Sequence, residues 1–378
     1  MNQGTAGGSA LTQALHFALS GWRFSMVFLL PVAVLSRTLH LAPVFVFSAA
    51  ALALVPLASL LGDATEQLAA HVGAAAGGLL NATLGNTTEL VIGVVALWGG
   101  QVEVVKASIA GSIVGELLLV FGLSALVGGL SHEKLRFSTA AVGANISMLF
   151  LAVVALVMPA LFQLTASRRL SLLNPPTPAG LSPGLSIDRL SLWTSVVLLV
   201  VYAASLLFMF RTHRNLFRGP GFAPPVLGRG TALGILIVSV GLTVAASQIL
   251  ISQVEPVTRS LGWSELFVGM IIVATVGNAA EHSAAVMLAR RDEMDLALSI
   301  AVGSGAQIAL FVAPLLVLIS QARPPAMSLV FHPLETAAVI ISVAVVTAAS
   351  IDGETNWFEG LQLLAVYAIL AVVFYFLP

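Results

Sequence analysis

Residues 79–97 have the sequence LLNATLGNTTELVIGVVAL, and residues 267–288 have the sequence FVGMIIVATVGNAAEHSAAVML. Both stretches are almost entirely apolar, small or neutral, yet each contains an acidic residue, Glu89 in the first and Glu281 in the second. An isolated ionised carboxylate in hydrocarbon costs at least about 2.5–3.5 kcal/mol. A carboxylate in such a setting therefore faces a cavity, takes up a proton or binds a cation.

The composition places both stretches in a membrane protein. Of the 378 residues, 58% are hydrophobic and only 9% are charged, and the mean hydropathy is +1.01. In lipid, only helices and closed barrels satisfy every backbone polar group, and a helical span needs about 20 apolar residues. The apolar runs here are long and continuous rather than alternating, which favours helices. The expected fold is an all-α polytopic protein in the lipid bilayer.

The apolar runs predict about eleven transmembrane helices, with short polar breaks between most of them. The predicted spans are 24–41, 43–61, 72–98, 102–129, 138–160, 190–210, 230–252, 264–289, 293–319, 328–349 and 356–377. Two Pro/Gly-rich loops, 164–189 and 211–229, are longer but leave no room for a soluble domain.

The two opening stretches belong to an internal repeat. A shift of 192 residues matches Gly85 with Gly277, Asn86 with Asn278, Glu89 with Glu281, Gly111 with Gly303, and Ser112 with Ser304. Equivalent spans are five apart, and an odd number reverses the direction through the membrane, so the two copies are inverted. Inverted repeats are typical of secondary transporters, whose substrate site lies near the midplane where broken helices meet.

The repeat divides the chain into an N-terminal tail and first helix at 1–42, a first inverted repeat at 43–210, a basic cytoplasmic loop at 211–229 and a second inverted repeat at 230–378. Orientation follows from the positively charged residues. A cytoplasmic N-terminus puts nine of the 16 Lys and Arg residues on inside segments and seven on outside segments. Because basic residues favour the inside, we expect the N-terminus in the cytoplasm.

Inverted copies are expected to bring Glu89 and Glu281 to one central site. Two carboxylates a few ångströms apart repel each other, so at least one carries a proton unless a cation lies between them. Protons and a cation then compete for the same oxygens, which is the behaviour of an exchanger.

The neighbouring groups predict which cation binds. They are hard oxygen donors, which suit Ca²⁺, and comprise the side chains of Asn86, Thr87, Ser112, Asn278, Ser304 and Gln307. Gly85 and Gly277 allow the helices to unwind and offer main-chain carbonyls. His282 is the one nearby histidine and the chain has no cysteine, which argues against soft transition metals. Two carboxylates neutralise one divalent ion, so Ca²⁺ fits better than Na⁺ or K⁺.

Several of these residues also have simpler interpretations. Asn86 and Asn278 could serve as interhelical hydrogen-bonding groups, and GSIVG at 111–115 is typical of helix packing. His282 could be a polar neighbour of Glu281 as readily as a proton-handling group.

An intramembrane metalloprotease would need a His pair that the chain lacks, so an enzyme is not expected. A passive channel is a further alternative. The net charge of −1 gives no sign of nucleic-acid binding.

The repeats themselves are GNTTELVIGVVALWGGQVEVVKASIAGSIVGELLLVFG at 85–122 and GNAAEHSAAVMLARRDEMDLALSIAVGSGAQIALFVAP at 277–314. They resemble the two alpha-repeats of CAX-type Ca²⁺/H⁺ antiporters, in the superfamily that includes the Na⁺/Ca²⁺ exchangers. The resemblance extends from PLASLLGDATEQLA at 56–69 through the last span. It implies that Glu89 and Glu281 bind the metal ion and exchange protons. It also implies a first helix ahead of two five-helix inverted halves, with Ca²⁺ as transported substrate and no cofactor.

The chain departs from the family pattern in two places. Glu116 stands where the family's GSILxN pattern has Asn, and Gly305 stands where GSSxQ has Ser. The extra acid either takes part in proton binding or ion entry, or packs away from the path.

The alternative function is Na⁺- or K⁺-coupled Ca²⁺ exchange, but exchangers of that kind carry GTSxPE-like motifs in place of GNAAEH. We expect a bacterial inner membrane protein, and leave the oligomeric state open, a homo-oligomer included.

Overall fold

The computed structural model describes residues 10–19, 21–172, 183–213 and 224–377. The central parts of both predicted long loops lie outside these residues, as does the start of the N-terminal tail. The described chain is built almost entirely of α-helices. In chain order they are α1 Ala10–Ala18, α2 Met26–Thr38, α3 Pro43–Val72, α4 Ala74–Leu84, α5 Thr87–Trp98, α6 Val102–Val114, α7 Phe121–Gly129, α8 Thr139–Leu172, α9 Pro183–Leu207, α10 Arg229–Ser252, α11 Val254–Leu261, α12 Glu265–Phe267, α13 Ala274–Gly277, α14 Ala279–Arg290, α15 Met294–Gln307, α16 Ala313–Ser320, α17 Pro333–Ala349 and α18 Trp357–Tyr375.

The shorter elements connect these helices. A 3₁₀ turn at Gly21–Ser25 leads into α2, and two short strands, β1 Leu135–Arg136 and β2 Glu354–Thr355, pair antiparallel with Leu135 opposite Thr355. Four helices pass through π-helical segments, which are Gly115–Val120, Phe208–Thr212, Val268–Val273 and Ile308–Val312.

Within the described residues, eight helical stretches, several of which join consecutive helices, are long and apolar enough to cross a membrane. The bent pair Glu265–Gly277 and Ala279–Arg290 forms a ninth span if the two helices are counted together. Two further apolar helices, Phe28–Thr38 and Pro333–Ala349, are shorter. The predicted all-α polytopic membrane fold is therefore confirmed. The count of eleven spans stays a prediction, because the two short helices do not reach the length of a span.

Two predicted helix ends are wrong. The second predicted span ends at residue 61 and the fifth at residue 160, but α3 continues to Val72 and α8 to Leu172. The case of α3 shows the reason. The added segment, 62–72, is polar but rich in alanine, leucine, glutamate and glutamine, which are strong helix formers. Hydropathy marks where a helix leaves the apolar environment, whereas these residues keep the backbone helical beyond that point.

The chain divides into two compact units. The first consists of Met1–Val95, Arg218–Gly262 and Val276–Ala280. Within it α3 packs against α10, α2 and α11. The last turns of α3 hold the segment that precedes α10: the Gln67 side-chain oxygen accepts hydrogen bonds from the backbone N–H groups of Val226 and Leu227, at 2.8 and 3.2 Å.

The second unit consists of Ala96–Phe217, Trp263–Thr275 and Glu281–Pro378. Within it α6 crosses the π-helical segment Val268–Val273 at close range. A Cβ at Gly111 would lie 2.0 Å from the backbone oxygen of Met270, so only glycine fits there. The packing role expected for the GSIVG pattern is therefore confirmed at Gly111, whereas a Cβ at Gly115 would meet nothing within 4 Å.

The π-helical segments follow the internal repeat at one place. The shift of 192 residues moves Gly115–Val120 onto positions 307–312, where the second copy has its own π-helical segment, Ile308–Val312. π-Helical turns are uncommon and are frequent at functional sites. Their recurrence at matching positions supports the sequence repeat.

Candidate ion-binding site

The first motif interrupts a helix. α4 ends at Leu84 and α5 begins at Thr87, so Gly85 and Asn86 lie between them. Gly85 keeps helical backbone angles, φ −55° and ψ −42°, so its conformational freedom is not used; a Cβ there would lie 2.7 Å from the Asn81 carbonyl oxygen. Asn86 is buried, and the Thr87 hydroxyl donates to the Leu84 carbonyl at 2.5 Å.

The second motif interrupts a helix more strongly. Asn278, which is also buried, separates α13 from α14. The helices on either side of it, Glu265–Gly277 and Ala279–Arg290, are bent by 61°. Helix breaks occur at both predicted positions, but a sharp bend forms only at the second.

Both motifs place their acid at the same helical position. Glu89 is the third residue of α5, and Glu281 is the third residue of α14. The first turn of a helix carries the positive end of the helix dipole and its unpaired N–H groups, which favour a negative charge. The motif therefore places each carboxylate at the end of a helix that favours its ionised form.

Within the first unit, Glu89 lies beside the second motif. A Cβ at Gly277 would be 3.7 Å from Oε1 of Glu89 and 3.5 Å from Cδ1 of Ile92. Both distances are ordinary van der Waals contacts, so the half-buried Glu89 side chain packs directly beside Gly277.

Within the second unit, Glu281 and Glu116 lie in one polar cluster. The Ser304 hydroxyl donates a hydrogen bond to the Glu281 carboxylate, and Glu116 is near enough to interact with Glu281 electrostatically. The second oxygen of Glu281, Oε2, is buried without a hydrogen-bond partner. We call Glu116, Glu281, His282 and Ser304 the Glu116 cluster.

Glu116 is fully buried, at the start of the π-helical segment Gly115–Val120. Its Oε1 lies 3.2 Å from Nε2 of His282, without the alignment of a hydrogen bond. Glu116 therefore lies next to His282 and near Glu281, and its part in proton binding or ion entry stays a prediction. Gly305 lies alongside, since a Cβ there would be 3.7 Å from Cβ of Glu116. The two departures from the family pattern are thus neighbours in space.

The remaining predicted residues lie on the helices that carry this cluster. Ser112 is buried on α6, one turn before Glu116, and Gln307 is the half-buried last residue of α15. The first unit holds Gly85, Asn86, Thr87, Glu89, Gly277 and Asn278; the second holds Ser112, Glu116, Glu281, His282, Ser304 and Gln307. Among the residues that the structure describes, no three His, Asp or Glu side chains are grouped so that they could hold a metal ion.

Two charged residues were missed by sequence analysis. Lys106 is buried on α6, and Glu335 is fully buried in the first turn of α17. Each is a charged residue in an apolar run, which is the same signal that led to Glu89. Both lie near span ends, where charges are common, so the sequence pattern does not distinguish them from ordinary flanking charges.

The protein is polytopic and helical, and each of its two broken helices carries a carboxylate in the first turn after the break. This combination is typical of the class of secondary transporters. The family model described as sodium/calcium exchanger protein matches residues 42–211 and 231–376, and the chain belongs to this family. The resemblance to CAX-type antiporters is confirmed by its relatives.

A Ca²⁺/H⁺ antiporter from Aphanothece halophytica is 39% identical over 373 residues, covering 94% of this chain and 96% of the relative. The Ca²⁺/H⁺ antiporter ChaA of Bacillus subtilis is 38% identical over 354 residues, covering 92% and 96%. Among solved structures, native YfkE superposes with a TM-score of 0.79 at 37% identity, covering 94% of this chain and 99% of that one.

Proposed function

We propose that this protein exchanges Ca²⁺ for H⁺ across a membrane by alternating access. The observation that carries the proposal is the pair of GNxxE motifs, each with its carboxylate in the first turn after a helix break. It is supported by relatives of at least 38% identity over more than nine tenths of the chain that are named Ca²⁺/H⁺ antiporters.

Glu89 and Glu281 form the shared site for Ca²⁺ and protons in this proposal. Support comes from the proximity of Glu89 to Gly277, four positions before Glu281 in the chain. The partnerless oxygen of Glu281 further supports a ligand role, because a buried carboxylate oxygen without a hydrogen bond is costly. With only two carboxylates in the donor set, neutral oxygens complete the Ca²⁺ shell. Those are side chains of the two Asn, the Ser and Thr residues and Gln307, main-chain carbonyls and water.

Glu116 and His282 assist proton coupling at the same place. Glu116 interacts with Glu281 electrostatically and approaches His282 at 3.2 Å. A proton leaving or reaching Glu281 therefore has two neighbouring groups that are able to carry it. Gly305 leaves room beside Glu116 where a serine would add a hydroxyl.

The transport cycle follows from the competition between ions. Facing the cytoplasm, ionised Glu89 and Glu281 bind Ca²⁺ between them. After the protein switches to its outward-facing state, protons replace Ca²⁺ on the same oxygens and return inward. The proton gradient thus drives Ca²⁺ export. No covalent step occurs, so the protein is not an enzyme and uses no cofactor; Ca²⁺ is the substrate.

The proposed setting is the bacterial inner membrane with the N-terminus in the cytoplasm, supported by the distribution of Lys and Arg. Arg211, Arg229, Arg290 and Arg291 then lie on the cytoplasmic side. The protein functions as a monomer or as a homo-oligomer of such units, each with its own path, since all predicted site residues belong to one chain.

Na⁺- or K⁺-coupled Ca²⁺ exchange is the alternative within the family. GNAAEH at 277–282 supports proton coupling over this alternative, because Na⁺- and K⁺-coupled exchangers carry a different motif at that place. Replacement of the pH gradient by a Na⁺ or K⁺ gradient in liposomes separates the two. Ca²⁺ uptake that follows the Na⁺ gradient would establish the alternative.

The site assignment is tested by ⁴⁵Ca²⁺ uptake into acid-loaded proteoliposomes. Glu89→Gln and Glu281→Gln should each abolish uptake, because an amide cannot release a proton and give its charge to Ca²⁺. Glu255→Gln is the matched control, since Glu255 is an exposed acid paired with Arg259 on α11. Full uptake by either site variant, with the control active, would refute the assignment.

A further inference from the structure

A second charged cluster lies outside the Glu116 cluster, where α6 and α17 begin. It consists of Glu103, Lys106 and Glu335, and we call it the Lys106 cluster. All three residues belong to the second unit. The exchange mechanism proposed above makes no use of them.

Lys106 is a cation in an apolar environment. It is 7% exposed, and its helical neighbours Val104, Val105 and Ala107 are buried. A buried ammonium is costly unless it is paired and hydrogen-bonded. Its Nζ donates to Oε1 of Glu103 at 3.0 Å, and the Glu103 side chain is 60% exposed. The lysine therefore reaches from the protein interior to the solvated end of α6.

Glu335 is a second carboxylate in the neighbourhood of this cation. It is fully buried; its Oε2 accepts the His332 backbone N–H at 2.8 Å, while its Oε1 has no hydrogen-bond partner. Both Glu103 and Lys106 interact with it electrostatically. The lysine thus donates a hydrogen bond to an exposed acid and interacts electrostatically with a buried one.

The internal repeat shows that packing does not require the lysine. The shift of 192 residues takes Glu103 to Asp295 and Lys106 to Leu298. Leu298 is completely buried, so the same helical position accepts a leucine. The acid is kept in both copies and the lysine in one. Because the copies are predicted to be inverted, this positive charge belongs to one face of the membrane only.

The Lys106 cluster lies on the helix that leads to the proposed ion path. Ser112 follows Lys106 by six residues on α6, a rise of about 9 Å. The Lys106 cluster therefore lies nearer than Ser112 to the membrane face at which α6 begins. Without the lysine, two hard carboxylates would remain at that face, and such groups attract Ca²⁺.

We propose that Lys106 is a tethered cation that pairs with Glu103 beside the buried Glu335, keeps divalent cations from binding to these two carboxylates, and so lowers the Ca²⁺ affinity of the membrane face at which α6 begins. This rests on the proposed exchange function. With a cytoplasmic N-terminus that face is the outer one. A low affinity there favours release of Ca²⁺ during export and opposes its return.

The test compares the KM for ⁴⁵Ca²⁺ at both faces, in right-side-out and inside-out membrane vesicles. Lys106→Leu, which copies the residue of the second repeat, should lower the KM at the face where α6 begins by about fivefold, the range of a single partly exposed charge interaction. The KM at the opposite face should stay within twofold. Lys106→Arg retains the charge and should behave as wild type, and Lys106→Leu combined with Glu103→Gln should reverse most of the effect.

Equal KM values for wild type and Lys106→Leu at both faces, or an equal change at both, would overturn the proposal and leave Lys106 a structural residue. If Lys106→Leu fails to fold, the exposed Glu103→Gln takes its place and should raise the KM at the same face alone; no change at that face would likewise overturn it. Wild-type exchange in the same vesicles tests the proposed function separately.

Discussion

The Glu116 carboxylate lies 3.2 Å from Nε2 of His282, and both residues are buried in the second unit. The two come from different repeats, Glu116 from the first and His282 from the second. The acid is one that the family pattern does not contain, and it faces a histidine within the GNAAEH motif. The local chemistry of this exchanger therefore differs from the family pattern at a position next to Glu281.

Replacement of Glu116 by the usual family residue tests its role. We expect Glu116→Asn to retain Ca²⁺/H⁺ exchange, because the family pattern has Asn there. The KM for Ca²⁺ should rise by about three- to tenfold, since one negative charge beside Glu281 is removed. Initial rates of ⁴⁵Ca²⁺ uptake at varied Ca²⁺ measure this.

Gly305→Ser is the companion variant, because position 305 adjoins Glu116. Combined with Glu116→Asn it restores both family residues, and this double variant should transport. Complete loss of transport in Glu116→Asn, with folded protein, would show that Glu116 is indispensable rather than an addition to the site.

The close crossing at Gly111 should be sensitive to a single methyl group. A Cβ there would lie 2.0 Å from the Met270 carbonyl oxygen, so Gly111→Ala should force the helices apart. Overpacking of this kind typically costs about 1–3 kcal/mol. The melting temperature of the purified protein in detergent should fall.

Gly115→Ala, on the next turn, is the control for Gly111→Ala. A Cβ at position 115 would meet nothing within 4 Å, so its melting temperature should change little. Equal melting temperatures for the two variants would contradict the close helix crossing.

The hydrogen bonds of Gln67 should hold the segment that precedes α10. Gln67→Ala removes the acceptor for the N–H groups of Val226 and Leu227, so cleavage by trypsin at Arg229 should become faster. Gln67→Glu keeps a carbonyl-type acceptor and should retain protection. Mass spectrometry measures the cleavage rates. Equal rates for wild type and Gln67→Ala would show that these hydrogen bonds do not restrain the segment.

The helical membrane fold follows from the sequence because uninterrupted apolar runs leave the backbone few alternatives in lipid. The two helix breaks are also predicted, since each coincides with a Gly-Asn pair. The end of α3 is not, because hydropathy falls at Gly62 while helix propensity persists to Val72. Burial in a bilayer and helix formation are separate effects, and they end at different residues here.

The candidate site is predicted in part for a similar reason. Glu89 and Glu281 are conspicuous acids in apolar runs and are related by the repeat. The neighbours of Glu116 come from segments more than 160 positions away in the chain, so its orientation depends on tertiary packing. Lys106 and Glu335 interact electrostatically across a still longer separation. Sequence spacing within one helix contains no information on such contacts.

The most direct test of proton-coupled Ca²⁺ exchange is a simultaneous recording of Ca²⁺ and H⁺ movement in liposomes that contain the wild-type protein, with a pH-sensitive dye inside. Added external Ca²⁺ should enter acid-loaded vesicles and raise their internal pH at the same time, in the absence of Na⁺ and K⁺, and Glu281→Gln should show neither signal. Ca²⁺ entry without a change in internal pH, or entry only when a Na⁺ gradient is supplied, would contradict the account.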